Sequence, residues 1–190
     1  MSVFVRQRKM SVFDYPTPAT TTDDILAQRQ RVQDYVRDAA DPNEAGENGR
    51  TLLTLALMTC FEGQGEDLVW NLLGRGADPN RPSGWLNFVH LLTRLSGSLP
   101  LVQEFIKRGL RLNDVYDHVE AVTGGLLVGQ ATLLDYVYAV RDYIAPKRKK
   151  INRLANKYAG GLGKHRRFVD ETIALFEASG AKRAADLEGM

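Results

Sequence analysis

Residues 72–80 read Leu-Leu-Gly-Arg-Gly-Ala-Asp-Pro-Asn, and residues 105–113 read Phe-Ile-Lys-Arg-Gly-Leu-Arg-Leu-Asn. Both the glycine and the final asparagine recur after 33 residues. The Ala-Asp-Pro-Asn of residues 77–80 also occurs upstream, at residues 40–43. Downstream, residues 173–181 are again an apolar run that ends in Gly-Ala. Self-similarity at a fixed period of this size is typical of stacked-repeat proteins.

A second marker lies between these stretches and predicts where helices begin. Gly-Arg-Thr-Leu-Leu-Thr-Leu-Ala occupies 49–56, and Gly-Gln-Ala-Thr-Leu-Leu-Asp-Tyr-Val occupies 129–137, with a weaker copy at 84–91. A threonine directly before an apolar run is a preferred helix N-cap, so Thr51 and Thr132 are predicted to cap helices.

The end of the unit is predicted as well. Four apolar residues, at 68, 69, 72 and 73, fall on one face of a helix. Gly74 or Gly76 then supplies a left-handed C-cap, and residues 78–80 supply a turn. One such unit cannot bury its own apolar face, so neighbouring units have to stack.

With this period and these helix starts, the chain resembles the ankyrin-repeat family over about residues 23 to 183. The resemblance implies an all-α solenoid of helix-turn-helix repeats, with irregular insertions in the last repeat. The chain departs from the family signature T-P-L-H-x-A. Leu52, Asn87 and Leu133 stand at its proline position, and Thr54, Val89 and Asp135 stand at its histidine position.

The domain organisation follows from the repeat. We expect a flexible N-terminal tail at 1–22, one repeat domain at 23–183 and a C-terminal tail at 184–190. A capping half-repeat at 23–42 contains a helix over 24–38 that turns Ile25, Leu26, Val32, Tyr35 and Val36 toward the stack. Three repeats follow at 43–80, 81–113 and 114–183, and the last carries insertions at 113–130 and 146–167.

Composition narrows the class of protein. The chain has 190 residues, of which 44% are apolar and 25% charged, as in an ordinary soluble globular protein. A single cysteine, Cys60, excludes an intramolecular disulfide framework, and three histidines leave little material for a metal site. We therefore expect no cofactor and no metal. The sequence shows neither a signal peptide nor an apolar run long enough for a membrane span, so a cytoplasmic location is predicted.

Members of the ankyrin family grip a protein with a concave face formed by the turns and first helices, so the resemblance implies such a face here. Trp, Tyr and Arg are enriched at binding hot spots. Trp85 has two interpretations, either contact with a partner or a lid over the neighbouring turn or the 113–130 insertion. The histidines of the face are interpreted as polar residues rather than metal ligands. The positions carried over are Glu44, Glu47, Asn48, Arg81, Ser83, Trp85, Asn87, His90, Arg94, Tyr116, Asp117, His118, Glu120, Tyr136 and Arg141.

The insertion at 146–167 carries nine basic side chains and no acidic one: Lys147, Arg148, Lys149, Lys150, Arg153, Lys157, Lys164, Arg166 and Arg167. The rest of the chain has 16 basic and 23 acidic side chains. The formal net charge of +2 is therefore the sum of +9 for the insertion and −7 for all other residues. One interpretation is contact with nucleic acid or an acidic protein. The other is a helical extension with a solvated basic face, whose counter-charge lies in the acidic segment 114–142.

No catalytic motif of the HExxH, CxxC or GxSxG type is present. Residues 160–164, Gly-Gly-Leu-Gly-Lys, are predicted to form a flexible turn rather than a phosphate loop. A Walker A loop needs Gly where Tyr158 stands and Ser or Thr where His165 stands. The leading hypothesis is a non-catalytic protein-binding module, as in small ankyrin-like immunity proteins that neutralise a toxin. The alternative is a nucleic-acid-associated protein that uses the basic insertion.

Overall fold

The computed structural model describes residues 22–46, 48–60, 65–94, 98–117, 127–144 and 159–187. Within these ranges the regular secondary structure is helical, apart from two single-residue bridges, Ala45–Thr51 and Tyr116–Ala131. The predicted all-α class is therefore confirmed. The helices are α1 Thr22–Asp38, α2 Leu52–Thr59, α3 Glu66–Gly74, α4 Gly84–Arg94, α5 Leu99–Lys107, α6 Leu133–Ile144, α7 Ala159–Ala178 and α8 Ala184–Leu187.

The predicted threonine caps are confirmed. The Thr51 side chain accepts a hydrogen bond from the Thr54 N–H at 3.3 Å, and Thr132 accepts one from the Asp135 N–H at 3.4 Å. Each cap also contacts a later loop, because the Thr51 hydroxyl donates to the Arg81 carbonyl and the Thr132 hydroxyl donates to the Lys182 carbonyl. One residue type thus starts a helix and fixes it to the following segment.

Helices α3, α5 and α7 end in the same way. After α3, the Gly76 N–H donates to the Leu73 carbonyl and the Ala77 N–H donates to the Leu72 carbonyl. The same pair of bonds follows α5 at 105–110 and α7 at 176–181, and the glycine has positive φ in all three cases. This is the Schellman geometry, in which a glycine accepts a left-handed conformation and satisfies the last carbonyls of the helix. Of the two predicted glycines, Gly76 is the one that adopts it.

Three asparagines connect successive loops. Nδ2 of Asn43 donates to the Gly76 carbonyl at 3.0 Å, while its Oδ1 accepts from the Asp78 N–H at 2.8 Å. Asn80 makes the equivalent two bonds to Gly109 and Arg111, and Asn113 makes them to Gly180 and Lys182. The asparagine that recurs in the sequence therefore bridges each loop to the next.

The core is continuous across these elements. Helix α2 packs against α1, α3 and α4, helix α5 against α3 and α7, and helix α6 against α7. Every leucine of α2 is fully buried, as is Phe105 of α5. Phe88 of α4 contacts Phe176 of α7 with ring centroids 4.9 Å apart. An apolar run too broad for a surface helix is thus explained by neighbours on several sides.

The signature register of the middle unit differs from the prediction. The Thr54 hydroxyl donates to Oδ1 of Asn87 at 2.7 Å, and Nδ2 of Asn87 donates to the carbonyls of Pro79 and Arg81. Asn87, 33 residues after Thr54, is therefore the residue of the middle unit that corresponds to Thr54, whereas the sequence pattern predicted Val89 for that position. Val89 is a buried apolar residue. The weak copy at 84–91 has Gly84 where the other two copies have Thr51 and Thr132, so the sequence does not mark its register.

Three further expectations need correction. Val32 and Val36 of α1 are buried, but Leu26 and Tyr35 are 54% and 39% exposed. Residues 160–164 belong to α7 and not to a turn, since a helix anchored by buried Phe168 and Val169 extends through them. Residues 184–187 form α8, with Ala184 buried, so the predicted C-terminal tail does not begin at 184.

Within the described ranges, no helix is both long enough and apolar enough to span a bilayer.

Candidate protein-binding cleft

The predicted partner-binding face is divided between surface and core. Asn48, Arg81 and Asp117 are exposed, while Glu44, Ser83, His90, Tyr116 and Arg141 are half-buried. Glu47, His118, Glu120 and the side chain of Arg94 lie outside what the structure describes. The prediction is wrong for Trp85, Asn87 and Tyr136, which are buried.

Trp85 is a packing residue. Its ring lies 5.2 Å from that of Tyr116 and 5.4 Å from that of Tyr136, and 3% of its surface is exposed. It covers the turn at Tyr116, which is the lid interpretation. Burial raises the pKa of Tyr136 to about 12, so this phenol stays neutral at physiological pH. Burial of Asn87 has a different cause, because its amide satisfies the carbonyls of the loop before α4.

Two members of the basic insertion fall within the described part of α7. Arg166 pairs with Asp170 at 3.7 Å, and Arg167 pairs with Glu171 at 2.7 Å, both one helical turn away. Lys164 is in the same helix, but its side chain is outside the description, as are residues 145–158 with Lys147, Arg148, Lys149, Lys150, Arg153 and Lys157. The two described arginines are thus neutralised by their own helix.

The acidic segment 114–142 has other partners. Asp114 pairs with Arg111 at 3.1 Å, Asp117 accepts from Gln130, and Asp142 pairs with Arg141 at 3.1 Å. Asp135 pairs with Arg183 at 2.7 Å. Each described carboxylate of this segment is therefore engaged outside 146–167, which disfavours its role as counter-charge to the insertion.

A cleft of about 620 Å³ lies between α6 and the residues that follow α7. Among the described residues, it combines aromatic and charged groups in one depression. Its lining includes Leu127, Asp135, Tyr138, Arg141, Asp142, Tyr143 and Arg183. Tyr143 is 51% exposed, and Val128, next to Leu127, is 80% exposed. Exposed aromatic, aliphatic and arginine side chains of this kind are typical of protein-binding surfaces.

Two arginines of the cleft lie against the ring of Tyr138. The guanidinium carbon of Arg141 lies 4.5 Å from the ring centroid, and that of Arg183 lies 5.2 Å from it. The Tyr138 hydroxyl donates to Glu177 of α7. This bond, together with partial burial, raises the pKa of the phenol above its ordinary value. The two cation–π contacts fix the arginines on the ring, and the hydrogen bond to Glu177 fixes the ring to α7, so these side chains of the cleft have a defined geometry.

Asp135 fixes the C-terminal segment to α6. One carboxylate oxygen accepts from the Thr132 N–H at 3.0 Å and from the Ala184 N–H at 2.8 Å, and the other accepts from Nε of Arg183. Burial raises the pKa of this carboxyl, but the bonds from Thr132, Ala184 and Arg183 outweigh it, so the pKa lies below its ordinary value. A buried and ionised Asp135 therefore orients Arg183 in the cleft.

Arg141 is the one predicted residue that lines this cleft. Sequence reasoning missed Tyr138, Tyr143 and Arg183. Tyr136, Tyr138 and Tyr143 all lie in α6, so an aromatic-rich segment was visible in the sequence. The sequence alone did not distinguish the buried ring of Tyr136 from the more accessible rings of Tyr138 and Tyr143. Arg183 was placed at the boundary of a tail, and nothing local connects it to Asp135, 48 residues earlier.

Comparison of the chain with models of protein families, with curated protein sequences and with solved structures gives no match.

Proposed function

We propose that this chain is a non-catalytic protein-binding module, built as a short stack of divergent ankyrin-like repeats, and that its partner binds at the Tyr138 cleft. The observation that carries the proposal is the group Tyr138, Arg141, Tyr143 and Arg183, which are residue types of binding hot spots gathered in one depression. Ion pairs and ring contacts hold three of these side chains before a partner arrives, which lowers the entropy cost of binding.

The recurring loop supports the repeat part of the proposal. The same asparagine bridge and the same Schellman ending each occur at three places. Asn80 and Asn113 are 33 residues apart, as are the glycines of the first two endings, Gly76 and Gly109. Such nearest-neighbour contacts are how repeat proteins gain stability. The narrower hypothesis, that the partner is a toxin or effector that this protein inhibits, rests on the family resemblance and on the compact array with its irregular last unit.

Affinity capture from cells that express the tagged chain tests the proposal. Wild type is compared with Tyr143→Ala in the cleft and with Tyr35→Ala on α1 as a matched exposed tyrosine. We expect one protein at stoichiometric yield with wild type and Y35A, and at least ten-fold less with Y143A. Equal recovery by the wild type and both variants would place the binding surface elsewhere. Inhibition is then measured directly, as loss of the captured protein's activity on titration with wild type.

Nucleic-acid binding through 146–167 is a second candidate, favoured by one observation. The described carboxylates of 114–142 are already engaged, so the charge of the insertion is not compensated by them. This function requires an affinity for a 20-nucleotide duplex or single strand that falls steeply with salt and disappears when Lys147 to Lys150 become alanine. Binding that resists salt, or no binding, eliminates it.

A further inference from the structure

We propose that the Tyr138 cleft recognises the side-chain carboxylate of an acidic residue of its partner, held between Arg141 and Arg183 and flanked by an apolar side chain. This inference rests on the proposed function and names the chemistry of the partner. It follows from what the two arginines still have available for hydrogen bonding.

Each arginine is anchored through the same atom. Nε of Arg141 donates to Asp142 at 3.1 Å, and Nε of Arg183 donates to Asp135 at 2.7 Å. Within the described part of the chain, the terminal nitrogens of both guanidinium groups make no hydrogen bond. The two groups therefore keep their paired terminal N–H donors, which form the planar fork that binds a carboxylate through two parallel bonds.

Both guanidinium groups lie against the ring of Tyr138. The guanidinium carbons of Arg141 and Arg183 are 4.5 and 5.2 Å from the ring centroid, and both arginines line the same cleft. The Tyr138 hydroxyl is already committed to Glu177, and the ring serves as a platform for the cations. Asp135 and Asp142 balance the charge of the two arginines, and Glu177 adds a third carboxylate at the Tyr138 hydroxyl, so directed N–H donors and not net positive charge would bind an arriving anion.

The rest of the lining selects what stands beside the carboxylate. Leu127, Ala139 and the exposed ring of Tyr143 form an apolar part of the same cleft. Its volume of about 620 Å³ exceeds the size of a carboxylate and admits a neighbouring side chain. A peptide segment with an acidic residue next to a leucine or phenylalanine satisfies both parts.

A fluorescence-anisotropy titration with short labelled peptides, acetylated and amidated at their ends, tests this. The probes carry Glu beside Leu, and the matched probes carry Gln beside Leu. A third peptide has the neutral sequence with a free C-terminal carboxylate. We expect the Glu peptide to bind at least ten-fold more tightly than the Gln peptide. Tighter binding of the free-terminus peptide would overturn the side-chain assignment.

Variants locate the effect. Arg183→Lys keeps the charge but loses the fork, and Arg141→Gln loses both, so we expect each to weaken the Glu peptide about ten-fold. Arg111→Gln is the control, because Arg111 is likewise paired through Nε with a carboxylate but lies outside the cleft. A thermal midpoint for each variant separates loss of binding from loss of folding.

Three outcomes would overturn the inference. They are equal affinity for the Glu and Gln peptides, no detectable binding of either peptide, and affinities of R141Q and R183K for the Glu peptide that equal that of the wild type. Capture of a partner that depends on Tyr143 would then still support the proposed function.

Discussion

Asn80 and Gly109 are joined by a hydrogen bond of 2.9 Å between the Asn80 side-chain Nδ2 and the Gly109 carbonyl, across 29 residues of sequence. Oδ1 of the same amide accepts from the Arg111 N–H at 2.9 Å. One side chain therefore satisfies two backbone groups of the loop after α5 that have no hydrogen-bond partner within a helix.

Replacement of Asn80 by alanine removes both bonds. We expect Asn80→Ala to lower the free energy of unfolding by about 1–2 kcal/mol, because two backbone groups lose their partner at a partly solvated site. Urea denaturation measures the change. Asn71→Ala is the control, because Asn71 is exposed on α3 and its side chain only accepts a hydrogen bond from Arg75, one turn away. This substitution should change the free energy of unfolding by less than about 0.5 kcal/mol. Equal effects of the two substitutions would contradict the bridging role.

The buried contact between Thr54 and Asn87 predicts a strong coupling. Asn87→Ala removes three hydrogen bonds and leaves the Thr54 hydroxyl and two carbonyls without this partner, which should cost about 3 kcal/mol. Thr54→Val should cost about 1 kcal/mol. The double variant should be less destabilised than the sum of the two single variants by at least about 0.5 kcal/mol, measured by denaturation of all four proteins. Additive effects would show that the two side chains act independently.

Gly109 tests the helix endings. Its φ is +85°, and nothing lies within 4 Å of the place where a Cβ would stand, so the cost of alanine is backbone conformation alone. We expect Gly109→Ala to destabilise the protein by about 1–2 kcal/mol. Gly74 has equal space and a helical backbone, and Gly74→Ala should stabilise by up to about 1 kcal/mol. Opposite signs in thermal denaturation are the expected result, and the same sign for both would count against it.

Protonation of Asp135 is expected to lower the stability of the folded protein at acid pH. Its pKa lies below the ordinary value of 3.8 in the folded protein, so its contribution to stability is fully present above that value. The contribution is lost as the pH falls through the lowered pKa, because protonation breaks the bonds to Arg183 and Ala184. The midpoint difference between wild type and Asp135→Asn should be largest at pH 7 and should shrink below about pH 4. Parallel curves from pH 7 to pH 2 would assign the acid limb to other groups.

Local sequence patterns predicted several of the helix boundaries. Threonine before an apolar run starts α2 and α6, and glycine in a left-handed conformation ends α3. These signals are short-range, because a cap and its helix differ by only three or four residues. The same reasoning placed the turn at 78–80, where Oδ1 of Asp78 accepts from the Asn80 N–H.

Longer-range relations were not visible in the same way. The exposure of Leu26 and the burial of Trp85 depend on which elements lie beside them, and their residue types do not decide that. The segment 160–164 is rich in glycine and was predicted as a turn. It is helical because α7, packed against α5 and α6, continues into it.

By itself, the sequence determined that the chain is helical, that a loop pattern recurs and where α1, α2 and α6 begin, since these properties depend on the spacing of neighbouring residues. Only the tertiary structure decided which side chains form the cleft. Arg183 meets Asp135 across 48 residues and Tyr138 across 45, because the loop after α7 returns to the start of α6. A periodicity of 33 predicts that units stack, but the contacts between the last helix pair and the segment that follows it exist only once the chain has folded.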